Sequence, residues 1–127
     1  MLLITNNKKF FEIQEYLESN NIELLYDDID YIGILEKCRN LIHQGYEMLT
    51  HPLYGSVKPN ETIYRSIVLS KGKSLDYISL GLIEEAIETA KKFNKNKNTP
   101  LWIESVKEDF RVIDFDLISK TINRIIN

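Results

Sequence analysis

Ser66-Ile67-Val68-Leu69-Ser70 is an apolar run that does not alternate with polar residues. A strand with one face in water alternates, so an unbroken run predicts a strand covered on both faces. Helices must supply that cover, and the rest of the sequence provides them. Leu2-Leu3-Ile4-Thr5 reads as a first strand, followed by Phe10, Ile13 and Leu17 at helical spacing. Asn6 or Asn7 can cap that helix, because an Asn side-chain oxygen accepts from an otherwise unpaired backbone N–H, and Asn20-Asn21 ends it.

Ile22 to Tyr26 is a second strand with Asp27-Asp28 as its exit. From about Asp30 to His43, the residues Ile34, Leu35, Cys38, Leu41 and Ile42 share one helical face, and Gly45 stands where a left-handed cap is needed. Tyr46 to Thr50 is a third strand, and the run at 66–70 is the fourth. A long helix is predicted from near Ser79 to Phe93, with Glu84, Glu85 and Glu88 early and Lys91 and Lys92 late, the order that suits the helix dipole. Residues 94–98, Asn-Lys-Asn-Lys-Asn, read as a solvated linker. Thr99-Pro100 opens a further helix in the N-cap then N1 arrangement, with Trp102 and Val106 inward. Asp114 or Asp116 begins a last helix carrying Ile118, Ile122, Ile125 and Ile126.

This order implies right-handed crossovers and a small three-layer α/β sandwich, with a mostly parallel sheet of about four strands and C-terminal helices. With 127 residues and 43% hydrophobic content, residues 1–127 are expected to form one domain. In open α/β sheets ligands bind beyond the carboxyl ends of the strands. The polar segments Thr5-Asn6-Asn7 and Thr50 to Thr62 leave the ends of strands one and three, and converge if those strands are neighbours.

Sixteen basic residues against nineteen acidic ones give a net charge of −3, which leaves no global basic footprint for nucleic acid or an anionic membrane. No run approaches the roughly 18 apolar residues of a membrane span, and the N-terminal segment lacks the charged and long apolar regions of a signal peptide. A lone cysteine, Cys38, allows no intramolecular disulfide and suits a reducing cytoplasm. It lies on an inward helical face, where thiols are usually inert. His43 near a helix C-terminus reads as a dipole partner. Two distant histidines do not make a metal motif, and Asp27-Asp28-Ile29-Asp30 lacks the glycine and terminal glutamate of a calcium loop. Asp109, Asp114 and Asp116 read as capping-turn residues. Neither glycine-rich nucleotide motif is present, so no cofactor is identified. The tyrosines, among them Tyr26, Tyr31, Tyr54 and Tyr64, suit a pocket or a subunit interface.

Residues 49–62, LTHPLYGSVKPNET, concentrate the polar chemistry. Pro52 pushes His51 toward extended backbone, while Gly55 and Pro59 favour a defined bend. Ser56, Lys58, Asn60 and Thr62 supply donors and one positive charge. Together with Asn6 and Thr50, this set suits a small anion held by N–H and O–H groups. Glu61 is placed to orient His51 or to anchor Lys58. The plain alternative is a surface loop, polar because loops run through water. Serine with a lysine base, Ser56 with Lys58, would need a desolvated lysine and an oxyanion hole.

Several blocks carry a family resemblance: Leu2-Leu3-Ile4-Thr5-Asn6-Asn7, Leu49-Thr50-His51-Pro52-Leu53, Gly55-Ser56-Val57-Lys58-Pro59-Asn60-Glu61-Thr62 with Tyr64 and Ser66, and residues 83–90, Ile-Glu-Glu-Ala-Ile-Glu-Thr-Ala. Asp109-Phe110 and Ile113-Asp114 also fit. Over nearly its whole length the chain resembles the GrdX family. The resemblance implies a small protein encoded beside the glycine, sarcosine and betaine reductase components of amino-acid-fermenting anaerobic bacteria, with those components as partners. The family's biochemical activity is not established.

Two functions follow as expectations. One is an accessory protein whose loop binds a small anionic ligand or a partner's tail through Ser56, Lys58 and Asn60. The other is a small enzyme acting on a phosphorylated or carboxylated intermediate, with His51 as general acid or base and Glu61 orienting it. The enzyme needs a closed pocket, which a homodimer would provide. A carboxylate bonded to His51 inside a concavity favours the enzyme, and an exposed His51 favours the binding protein.

Overall fold

The computed structural model describes residues 1–54, 58–59, 61–96 and 100–127. Its elements in chain order are β1 (Leu2–Thr5), a 3-10 turn (Lys8–Ile13), α1 (Gln14–Ser19), β2 (Glu23–Tyr26), α2 (Tyr31–His43), β3 (Tyr46–Met48), β4 (Ser66–Lys71), α3 (Tyr77–Asn96) and α4 (Glu104–Ile126). The Asn7 side chain accepts from Lys9 N at 3.0 Å and starts the 3-10 turn. Asp30 caps α2 by accepting from Gly33 N at 2.7 Å. Gly45, at φ 101°, turns the chain out of α2 into β3.

The four strands lie in the order β2-β1-β4-β3. β1 and β2 are parallel, with Leu2 opposite Glu23 and Thr5 opposite Tyr26. β4 is antiparallel to both β1 and β3, so the sheet is mixed rather than mostly parallel. The physical reason lies in the connection: a parallel return needs a crossover, usually a helix, and none lies between Met48 and Ser66 among the described residues. A strand that follows another without a helix comes back alongside it, and β4 does so as the second arm of a wide hairpin.

Alternate residues of the two central strands face opposite ways. Ile4, Ile67 and Leu69 pack against Ile34, Leu35, Cys38 and Ile42 of α2 and Ile83, Ala86, Ile87 and Ala90 of α3. Leu3 and Val68 pack against Phe10, Leu17, Ile22 and, from α4, Ile118 and Ile122. The unbroken apolar run of β4 is thus covered on both faces, each large side chain contributing about 1.5–3 kcal/mol of burial.

Two boundaries at the C-terminal end differ from the sequence reading. α3 continues to Asn96, through part of the segment read as a linker, and α4 is one helix with no break at Asp114 or Asp116. Its N-cap position is Ile103, which makes no side-chain cap, and Thr99 lies outside the described residues. Asp114 is a buried mid-helix residue, 5% exposed, not a cap. No helix among the described residues is long and apolar enough to cross a membrane.

Candidate functional site

Because β4 runs antiparallel, its first residue Ser66 pairs with the last residue of β1, Thr5. Residues 62–65 therefore arrive beside Asn6, and the two polar segments converge through β4 although β1 and β3 are not neighbours. Asn6 is the clasp: its Nδ2 donates to Ile29 O at 2.8 Å and Ile63 O at 2.7 Å, and its Oδ1 accepts from Arg65 N at 2.9 Å. Both amide hydrogens are committed to backbone, so the Asn6 side chain shapes the region and has no donor left for a ligand.

Behind it lies a buried polar chain. Asn7 N donates to Thr5 Oγ1 at 2.9 Å, Thr5 Oγ1 and Ser66 Oγ are 2.6 Å apart, and Ser66 Oγ donates to Asp114 Oδ2 at 2.7 Å. Since Ser66 has one hydroxyl hydrogen and gives it to Asp114, the Thr5 hydroxyl is the donor to Ser66. Asp114 Oδ2 also accepts from Asn7 Nδ2 at 3.0 Å, and Oδ1 accepts from the Tyr54 hydroxyl. Three donors hold this one carboxylate.

Arg65 is 3% exposed. Its guanidinium carbon sits 4.1 Å from the Tyr54 ring centre and 4.8 Å from that of Tyr31, and one of its terminal nitrogens donates to Tyr54 O at 3.0 Å. Burial pushes the Tyr31 phenol above its ordinary value, with the Arg65 charge pulling it back. Burial also pushes Tyr54 well up, reinforced by the Asp114 charge. Both rings stay neutral at physiological pH and act as cation–π faces for Arg65.

Outside this cluster, at the carboxyl ends of β1 and β2, an open cleft of about 420 Å³ is lined by Asn6, Tyr26, Asp28 and Tyr64 and by three cationic side chains, Lys8, Lys107 and Arg111. Arg111 lies 5.4 Å over the Tyr64 ring and pairs with Glu104 and Glu108, the latter at 2.6 Å. Those hydrogen bonds, Glu104 first, raise its pKa further and set two carboxylates beside its one positive charge. Asp28 and Asp30 also face the cleft.

The loop residues singled out by sequence divide among several roles. Thr50 and Thr62 are buried, and their hydroxyls accept from Val68 N and Tyr64 N, both at 3.1 Å; they continue the backbone bonding past the strand ends. Lys58 is exposed, and its carbonyl receives Glu61 N at 2.9 Å. The Glu61 carbonyl accepts the Trp102 indole N–H at 2.7 Å. His51 is exposed, its Nδ1 accepting from Leu53 N at 3.0 Å, and among the described residues no carboxylate bonds to it. It lines a separate depression shared with Lys120 and Arg124. Ser56 and Asn60 lie outside the described residues.

Sequence reasoning passed over Arg65, Tyr31 as a partner of Arg65, Arg111 and the burial of Asp114. A signal for the last existed: Asp114, Ile118 and Ile122 are spaced by four, so an aspartate stands in the inward stripe of the helix. Among the described residues no three His, Cys, Asp or Glu side chains group to hold a metal ion.

A family model described as GrdX-like protein matches residues 2–123. No curated protein and no solved structure matches the chain. The match spans all but five of the 127 residues, from β1 into the last turn of α4, and the chain belongs to the GrdX-like family.

Proposed function

We propose that this protein is a non-catalytic accessory component of the glycine, sarcosine and betaine reductase system that binds a small anionic ligand in the cleft at the carboxyl ends of β1 and β2. The family membership supports the link to that system. The observation that carries the binding reading is the gathering of Lys8, Lys107 and Arg111 around one concavity, at the place where α/β sheets bind ligands. Lys8 opens the 3-10 turn after β1, and Lys107 and Arg111 stand one turn apart on α4, so two elements distant in sequence supply the three cations.

The enzyme reading draws less support. A general base needs reach to its substrate and an orienting partner, whereas His51 is exposed, bonds to a backbone N–H and stands apart from the cationic cleft. Thermal unfolding against inorganic phosphate and acetyl phosphate tests the proposal, with Lys8→Ala/Lys107→Ala and His51→Ala beside the wild type. A ligand at about 100 times its Kd adds about 2.7 kcal/mol of stability. The expected result is a saturable shift that the double variant loses and His51→Ala keeps. A shift lost in His51→Ala and kept in the double variant overturns it. An absence of any shift, with reductase components captured equally by wild type and double variant, also overturns it.

A further inference from the structure

The acidic residues between β2 and α2 divide in their partners. Asp27 pairs with Lys37 at 2.7 Å, and one oxygen of Asp30 accepts from Gly33 N as the cap of α2. Asp28 is exposed and makes no ion pair among the described residues. The cations of the cleft divide in the same way. Arg111 is engaged by Glu104 and Glu108, whereas Lys8 and Lys107 make no ion pair among the described residues.

Asp28, Lys8 and Lys107 nonetheless line one concavity. They are carried by three separate stretches, the β2–α2 connection, the turn after β1 and α4, and they do not pair with one another. Three cations and two aspartates line the cleft, and two glutamates sit on Arg111, so neither sign prevails by much. A simple anion is drawn by one set and repelled by the other. A small molecule bearing both signs meets each set with its opposite.

The acidic side also holds an aromatic ring. Tyr26 lines the cleft with Asp28. Burial first, and then the Asp28 charge, raises its phenol, so the ring stays neutral at physiological pH and presents a π system to a cation.

We propose that this cleft takes a small zwitterionic aminocarboxylate, with its carboxylate on Lys8 and Lys107 and its ammonium on Asp28 and the Tyr26 ring. This rests on the reading of the cleft as a ligand site and narrows it: the ligand's anionic group is a carboxylate that travels with its own positive charge. A phosphate dianion brings a second negative charge, which the two aspartates penalise.

The test is calorimetric titration and thermal unfolding of the whole chain at matched ionic strength. The probes are glycine, β-alanine and 4-aminobutyrate, with acetate, methylammonium and phosphate beside them. The variants are Asp28→Asn and Lys8→Ala/Lys107→Ala, both at side chains that make no ion pair in the fold, so the unliganded proteins should melt close to wild type. At least one aminocarboxylate should bind saturably and more tightly than acetate, methylammonium or phosphate. Its affinity should fall about fivefold in Asp28→Asn, while acetate, relieved of a repelling charge, binds that variant no more weakly than wild type. The lysine double variant should lose the aminocarboxylate and acetate alike. Saturable binding of acetate or phosphate that depends on the lysines, with no aminocarboxylate tighter, overturns the zwitterion and leaves the anion site standing. Aminocarboxylate affinity unchanged in Asp28→Asn also overturns it. An absence of saturable binding by any probe overturns both readings, and a rise in Tm that never saturates and is shared by every variant is that outcome, since solute exclusion from the surface produces it.

Discussion

Replacing Asp114 by alanine removes the acceptor on which three donors converge: the Tyr54 hydroxyl, Asn7 Nδ2 and Ser66 Oγ. A hydrogen bond to a charged group contributes about 1.5–3 kcal/mol, and stranding buried donors adds their desolvation. The three bonds share one carboxylate and are not additive, so the expected loss is about 4 kcal/mol, in the range for breaking a buried charged partnership. For a chain of this length that corresponds to a fall in Tm of about 15 °C. Asp114→Asn should cost about half as much. Its amide oxygen can still serve Asn7 and Ser66, and the Tyr54 hydroxyl can rotate to accept from the new NH2 group. Urea unfolding of both variants, with Tyr54→Phe and the double variant Tyr54→Phe/Asp114→Ala to close a cycle, measures these quantities. The cycle should return a coupling of at least about 1 kcal/mol between Tyr54 and Asp114. An Asp114→Ala protein within about 1 kcal/mol of wild type, at unchanged m-value, would refute the reasoning, because the stranded donors would then have found water at no cost.

Cys38, fully buried on α2, has its thiol pushed from 9.0 up to about 12 by desolvation. It should therefore resist iodoacetamide at pH 8 except through unfolding, and labelling that outpaces global opening would contradict its placement. The same shift has a sign in stability: the contribution is fully present below pH 9 and is lost as pH rises toward about 12, because the unfolded thiol ionises first. Unfolding free energy measured across that window should fall more steeply in wild type than in Cys38→Ala. Gly72→Ala should destabilise by about 1–3 kcal/mol, since an added Cβ would stand 2.8 Å from the Gly45 carbonyl oxygen, which accepts the Gly72 N–H at the same distance; a Tm equal to wild type would show that the turn relaxes freely.

The strands and α2 were legible because their signals are local: unbroken apolar runs, a period of 3.6, Asp30 before the helix and Gly45 after it. Strand direction depends on what lies between strands, and the lack of a helix among the described residues between β3 and β4 matches a sequence without a helical stripe. α4 was split in the reading because an aspartate inside an apolar stripe resembles a cap, and only the positions of Asn7, Ser66 and Tyr54 reveal that Asp114 has donors waiting in the core. For the site, convergence of segments 5–7 and 50–62 was expected only if strands one and three were neighbours; they are not, and it is residues 62–65, entering β4, that lie beside Asn6. The assignment of roles was harder, because Asn6, Thr50 and Thr62 turn their polar groups onto backbone, a distinction that composition does not carry. Lys107 and Arg111 join the cleft from a helix about a hundred residues after Lys8, a proximity that no local pattern encodes.

The position of β4 in the sheet sets an order of events as the chain is made. β1 and β3 are complete once Met48 has been added, but neither touches the other; each waits for the strand that fits between them. Until Lys71 has emerged, both carry a bare edge, and the central pairing of Thr5 with Ser66 closes a loop of some sixty residues. Contacts of such span form late. The cluster around Asp114 must wait longer still, for α4, so the N-terminal half spends its synthesis with its polar residues in water and no carboxylate to meet them.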